Sequence, residues 1–229
     1  NNLIRRFILR NQHTLLFTKL FFRWINEKVL PHKYPVIAFI GPDGAGKSTT
    51  TEKIVRILRE NDRPVSYVYL GRGKSHLLPI NKTGRAVYNK IRSTPKIITK
   101  LIYYAAAPIY TLDLLLRYAT QVRPKRKRSI IVTDRYATDI YLMPNVSHAF
   151  RSFLFSLFPK PTLTFYLYND AKTLYERKKQ QSQEELQKQL DLFDNIAAKL
   201  NAVRIKTDSQ KIIEQVARRT FEHLAGYQD

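Results

Sequence analysis

Gly41-Pro-Asp-Gly-Ala-Gly-Lys-Ser48 is a G-x-x-x-x-G-K-S loop, and what flanks it decides the fold. Gly41, Gly44, Ala45 and Gly46 carry little or no side chain, so backbone N–H groups can converge on phosphate oxygens. Lys47 is expected in a solvated loop, where it brings a cation to the β- and γ-phosphates of a nucleotide. Ser48 offers a hydroxyl to Mg²⁺. Pro35-Val-Ile-Ala-Phe-Ile40, ahead of the loop, is apolar and uncharged, as a strand buried on both faces of a parallel sheet must be. Behind the loop, residues 48–60 place Ile54, Val55, Ile57 and Leu58 on one side of a helix. A helix opening at Ser48 and Thr49 aims its positive end at the same anion.

The chain then repeats this rhythm. Val65–Leu70, Ile130–Thr133, Leu163–Leu167 and Ala202–Lys206 read as strands, with helices expected over 171–200 and 209–224. Strands separated by helices imply a parallel sheet with right-handed crossovers. The fold class is α/β, a P-loop sandwich of three layers with helices on both faces of the sheet.

Composition sets the outer limits. With 229 residues, the chain suits one α/β domain, and 44% hydrophobic content is ordinary for a globular protein. No cysteine is present, which excludes disulfides, thiolate metal sites and thiol nucleophiles and fits a cytoplasmic protein. The stretch nearest to a membrane span, Leu101–Leu116, is interrupted by Pro108 and Asp113, so no spanning helix is expected. Lys19 breaks the early apolar stretch, and no small-residue cleavage pattern follows it. The chain begins at Asn1 rather than Met, which leaves room for residues ahead of it.

Charge is the second strong feature. The net charge is +22. From Arg63 to Leu112 there is no acid against nine cations, and Arg117, Arg123, Lys125, Arg126, Lys127 and Arg128 follow. A field of one sign draws anions, so anionic lipid, nucleic acid and an anionic or polar small acceptor are the partners to weigh. Residues 71–128 break the strand–helix rhythm and read as a basic insertion, mostly helical after Lys96, within a P-loop domain over 35–229. Residues 1–34 form a separate basic, amphipathic helical segment in this reading. Over residues 3–30 Leu3, Phe7, Leu16, Phe21 and Trp24 recur among six cations. Such a segment either lies on an anionic membrane surface, seating the protein peripherally at the inner membrane, or packs on the core.

A phosphate-binding loop needs a second carboxylate at the end of a neighbouring strand. Ile130-Ile-Val-Thr-Asp134 supplies it, with Arg135 next in line. Asp134-Arg-Tyr-Ala137 is not the D-x-x-G of a GTPase, and Asn81-Lys-Thr-Gly84 lacks the carboxylate of a guanine-reading motif, so a GTPase switch is excluded.

Together these segments resemble the thymidylate kinase family of nucleoside monophosphate kinases, over roughly residues 35–225. Gly41–Thr49 matches its phosphate loop, including the acid at Asp43. Asp134-Arg-Tyr136 matches its D-R-Y motif, Pro161–Leu167 the strand after it, and Glu176-Arg-Lys178 the start of its arginine-bearing lid. The resemblance implies five parallel strands in the order 2-3-1-4-5, ATP as donor and Mg²⁺ held by Ser48 and Asp134. It also implies that Arg135 holds an acceptor phosphate, that Asp43 touches an acceptor hydroxyl, and that Arg177 closes over the transferring group. Arg72 and Tyr136 complete the expected acceptor side, and family members are commonly homodimers.

Two stretches depart from that pattern. Leu70-Gly-Arg-Gly-Lys-Ser75 stands where the family has R-E-P-G-x-T, and Leu112-Asp-Leu-Leu-Leu-Arg-Tyr118 replaces its thymine-reading helix. Gly71–Pro79 and Arg177–Leu186 are more similar to thymidylate-kinase-like proteins encoded beside bacterial surface-polysaccharide genes. The acceptor implied there is a sugar, a sugar phosphate or a lipid-linked glycan. The alternatives are a true dTMP kinase, a nucleic-acid-binding P-loop protein and a membrane-tethered adaptor with a vestigial site. Against nucleic acid, Tyr103, Tyr104, Tyr110 and Tyr118 fall on helical apolar faces rather than on a strand platform. Intact Lys47, Ser48 and Asp134 argue against a vestigial site.

Overall fold

The computed structural model describes residues 34–72, 76–78, 96–208 and 211–227, which all lie in the unit Tyr34–Asp229. The amphipathic segment expected over 1–34 falls almost wholly outside the described residues, as do 73–75 and 79–95 of the basic insertion.

The apolar run ahead of the phosphate loop forms β1, Val36–Ile40, with all five residues buried. Val36, Ala38 and Ile40 pack into one hydrophobic cluster and Ile37 and Phe39 into the other, so β1 joins the cores on the two faces of the sheet. The helix after the loop is α1, Lys47–Glu60; its Ile54, Val55 and Leu58 enter the second cluster. Four more strands follow: β2 Val65–Tyr69, β3 Ile130–Asp134, β4 Leu163–Tyr168 and β5 Val203–Lys206. Every pairing is parallel, in the order β2-β3-β1-β4-β5, as the resemblance implies. The chain leaves β1 toward one edge of the sheet and β3 toward the other. The loops after these two neighbours diverge and open a crevice at their carboxyl ends.

Described residues of the insertion form α2, Lys96–Arg117, which ends in a π-helical turn over Tyr118–Val122. Pro108, expected to break this segment, lies inside α2 on an exposed face, where losing one backbone bond is tolerated because Ala107, Tyr110 and Leu114 anchor the opposite face. Two shorter elements follow β3: a 3₁₀ turn over Ala137–Leu142 and helix α3, His148–Ser156.

The helix expected over 171–200 is two helices, α4 Ala171–Arg177 and α5 Gln183–Lys199. Ser182 caps α5, its hydroxyl accepting from the Glu185 N–H while the Glu185 carboxylate accepts from the Ser182 N–H. That S-x-x-E box is legible in the sequence and satisfies two donors that a continuous helix would not leave free. The last helix, α6, spans Ile212–Ala225.

Candidate active site

The loop between β1 and α1 turns on three glycines. Gly41, Gly44 and Gly46 have φ of 141°, 85° and 76°, a region that side chains disfavour. At Gly41 a Cβ would also stand 2.1 Å from the Leu167 carbonyl oxygen, so β4 presses the loop from behind. Gly46 is the N-cap of α1 and lends no side chain to its free N–H groups, which leaves them for an anion.

Lys47 departs from expectation. Its side chain is buried rather than solvated, and Nζ donates to the Pro42 carbonyl at 2.5 Å. Burial and the nearby Arg135 guanidinium push its pKa down to about 8. Nearby Asp43, Asp139 and Asp134 offset this only in part, and nucleotide phosphates would supply further counter-charge.

Ser48 Oγ donates to Asp134 Oδ2 at 2.6 Å, joining the start of α1 to the end of β3. Tyr67 on β2 donates to the same oxygen at 3.4 Å, and burial with the Asp134 charge pushes its phenol up to about 12. Asp134 Oδ1 is buried with no hydrogen-bond partner. A buried bare carboxylate oxygen beside a hydroxyl fits a hard divalent cation that takes its other ligands from phosphate and water. Among the described residues no group of three His, Cys, Asp or Glu could hold a metal by itself. Bound there, Mg²⁺ would neutralise charge on the phosphates.

Across the crevice, Arg135 stands in left-handed backbone conformation, φ 67°, directly after β3. Its two terminal nitrogens each hold a carboxylate: Nη2 bonds Asp43 of the phosphate loop, and Nη1 bonds Asp139 at 3.2 Å. Burial alone would lower the Arg135 pKa, but Asp139 and Asp43 raise it above the ordinary arginine value. Burial pushes the Asp43 carboxyl up, and Arg135, Lys47 and Lys178 together outweigh that and hold it low. Lys178 reaches Asp43 at 3.7 Å. Arg72 joins through Asp139, which accepts from its backbone N–H at 3.3 Å.

Two expected site residues stand elsewhere. Arg177 donates to the Thr207 hydroxyl at 3.1 Å and carbonyl at 2.7 Å, not to the acceptor side. With Thr207, Thr49 and Ile212 it lines a cleft of about 350 Å³ on the opposite flank of the phosphate loop. Tyr136 is 1% exposed, donates to the Pro159 carbonyl, and packs edge-on against Tyr118 and Phe158. It belongs to the core, because the left-handed turn at Arg135 sends the next side chain inward.

The structure adds residues that the motifs do not name. Asp139 is one, although an acid four residues after Arg135 has the spacing of an ion pair. Thr207 is another; its position just after a parallel strand is where ligand sites form. Asp113 on α2 is the third. Its carboxylate is wholly buried, accepts from the Leu77 and Leu78 backbone N–H groups at 2.8 and 2.9 Å, and meets His76 at 2.8 Å and Arg117 at 3.1 Å. Arg117 donates onward to the Gly71 carbonyl at 3.1 Å. Asp113 and Arg117 therefore clamp the segment after β2 onto α2. Burial would raise the Asp113 pKa, and these bonds bring it below the usual value.

A glycine loop capping a helix, with a hydroxyl–carboxylate pair at the next strand's carboxyl end, is the architecture of a P-loop phosphotransferase. Residues 39–224 match the family model for thymidylate kinase, and the chain belongs to that family, whose members are ATP-dependent phosphotransferases using Mg²⁺. A solved thymidylate kinase from Ehrlichia chaffeensis has the same fold at 20% identity and a TM-score of 0.53, over 85% of this chain and 100% of that one. No curated protein matches the chain.

Proposed function

We propose that the protein moves the γ-phosphoryl group of ATP, with Mg²⁺, onto a hydroxyl of a small molecule or glycoconjugate other than dTMP. The observation that carries the phosphotransferase part is the Ser48–Asp134 pair with its bare buried oxygen. In the reaction an acceptor hydroxyl oxygen forms a bond to the γ-phosphorus, the bond to the β–γ bridging oxygen breaks, ADP leaves, and the hydroxyl proton passes to water. Asp43 accepts a hydrogen bond from that hydroxyl and aims it; a carboxyl held this acidic orients rather than keeps the proton. Lys47 stabilises the charge on the group in flight, and positioning supplies most of the rate. The cleft beside Arg177 and Thr207 suits the base of the donor nucleotide.

The acceptor part rests on the clamp. Asp113 and Arg117, in the helix that would otherwise read a nucleobase, spend their polar groups on the segment after β2. A true dTMP kinase is the alternative, favoured by the family match and by the Asp43–Arg135 pair. The test is Mg²⁺-dependent ADP release by the wild type and by Lys47→Ala. Release that needs Lys47 supports the proposal; release unchanged in the variant refutes the site.

We also propose a peripheral seat on an anionic membrane. In α2, Ile97, Leu101 and Ile109 are exposed, with Lys96 and Lys100 among them, and no exposed acid lies on that helix. Each cation near an anionic bilayer contributes roughly 1 kcal/mol, screened beyond about a Debye length. Co-sedimentation with anionic vesicles should fall steeply with salt and drop for Leu101→Glu. Vesicle binding unchanged by salt and by Leu101→Glu, or a concentration-dependent dimer that Leu101→Glu abolishes, would assign the face to something other than lipid.

A further inference from the structure

We infer that Asp139 sets the charge of the acceptor site and selects an acceptor that meets Arg135 with uncharged hydroxyls rather than with a phosphate. This inference rests on the phosphotransferase proposal and deepens it. Arg135 is the cation that the family resemblance assigns to an acceptor phosphate, yet both its terminal nitrogens already hold carboxylates, from Asp43 and from Asp139. Asp43 comes from the phosphate loop and also faces Lys178. Asp139 is 1% exposed, comes from the 3₁₀ turn after β3, and also engages Arg72 through its backbone N–H and, at 3.9 Å, its guanidinium.

A dianionic phosphate brought to the remaining N–H groups of Arg135 would stand beside two carboxylates. A polyol meets no such repulsion. It can donate to the carboxylates and accept from the remaining guanidinium N–H groups. Tyr110 adds a third observation: its hydroxyl is buried without a hydrogen-bond partner, among Asp139, Arg72, Arg117 and Arg135. An unpartnered donor and acceptor there suits a polar ligand.

Asp139 is thus a specificity residue acting through Arg135, and removing its charge should unmask the guanidinium. With the donor side filled by a non-hydrolysable ATP analogue and Mg²⁺, inorganic phosphate is titrated calorimetrically into the wild type and Asp139→Asn. The variant is expected to bind phosphate at least about tenfold more tightly. A merely structural role would not produce a gain of affinity. Equal affinities, or no measurable binding in either protein, would overturn the inference. Should Asp139→Asn fail to fold, the wild type decides: phosphorylation of dTMP over thymidine by more than about tenfold overturns it, and the reverse order or no preference supports it. Absence of Lys47-dependent turnover with every acceptor would instead remove the phosphotransferase proposal, whatever phosphate binding shows.

Discussion

The two sides of the crevice are built in different ways. On the proposed donor side, one loop and the end of one strand carry the phosphate-binding part: Gly41 to Thr49, then Asp134, which Ser48 reaches at 2.6 Å. On the proposed acceptor side, Asp43, Arg72, Asp113, Arg135, Asp139 and Lys178 come together from separate parts of the chain, and carboxylates bracket the cations. A donor site must fit the same triphosphate in every relative, so local backbone geometry defines it. The proposed acceptor side is defined instead by side chains that the fold brings together from distant parts of the chain.

Breaking the donor side should cost most. Lys47→Ala is expected to lower turnover by at least ~10²–10³-fold, as loss of a main charge stabiliser does. Its thermal unfolding should not worsen, since burying the ammonium lowers its pKa to about 8 and so disfavours the folded state below that pH. Steady-state kinetics and calorimetry check both halves. Asp134→Asn should lower kcat on the order of 10²-fold and change ATP affinity far less, because the metal's charge counts most during transfer. A Mg²⁺ titration unchanged in the variant would contradict this.

A glycine on each side sharpens the comparison. At Gly71 a Cβ would stand 2.2 Å from Arg135 Cδ and 2.4 Å from the Tyr69 hydroxyl, both side-chain atoms. Gly71→Ala should displace Arg135, lower acceptor kcat/KM roughly tenfold and leave ATP binding intact. At Gly41 the obstacle is backbone and φ is 141°, so Gly41→Ala should instead lose about 1–3 kcal/mol of stability and ATP binding with it.

The smallest effect is a proton. In the free protein Lys47 loses its proton above about pH 8, and bound phosphates would restore it. ATP binding should therefore take up no proton at Lys47 well below pH 8 and approach one as pH rises past it. Calorimetry in buffers of different ionisation heat measures this. Uptake absent at pH 9 would mean that Lys47 does not face the phosphates.

How much was legible in the sequence follows the same division. Strand β1, the glycine loop and Asp134 follow from local runs and spacing, because a buried parallel strand and a phosphate loop permit few alternatives, whereas the sheet order is implied by the family resemblance. Lys47 was misplaced because solvation of a loop cannot be judged without Leu167 and Arg135 around it. Arg177 and Lys178 are adjacent, and only the break before the Ser182 cap settles which one faces Asp43. The Arg135–Asp139 and Asp113–Arg117 spacings are local, but the pairings of Asp139 with Arg72 and of Asp113 with 76–78 span separations that no local pattern carries.

The most direct test of the whole follows the label from γ-³²P-ATP in the presence of Mg²⁺, with dTMP, thymidine, free sugars and lipid-linked glycans offered in parallel to the wild-type protein. The expected result is Lys47-dependent label on a hydroxyl acceptor other than dTMP. Label on dTMP alone, with kcat/KM of ~10⁴ M⁻¹s⁻¹ or more, would contradict it and make the protein a dTMP kinase.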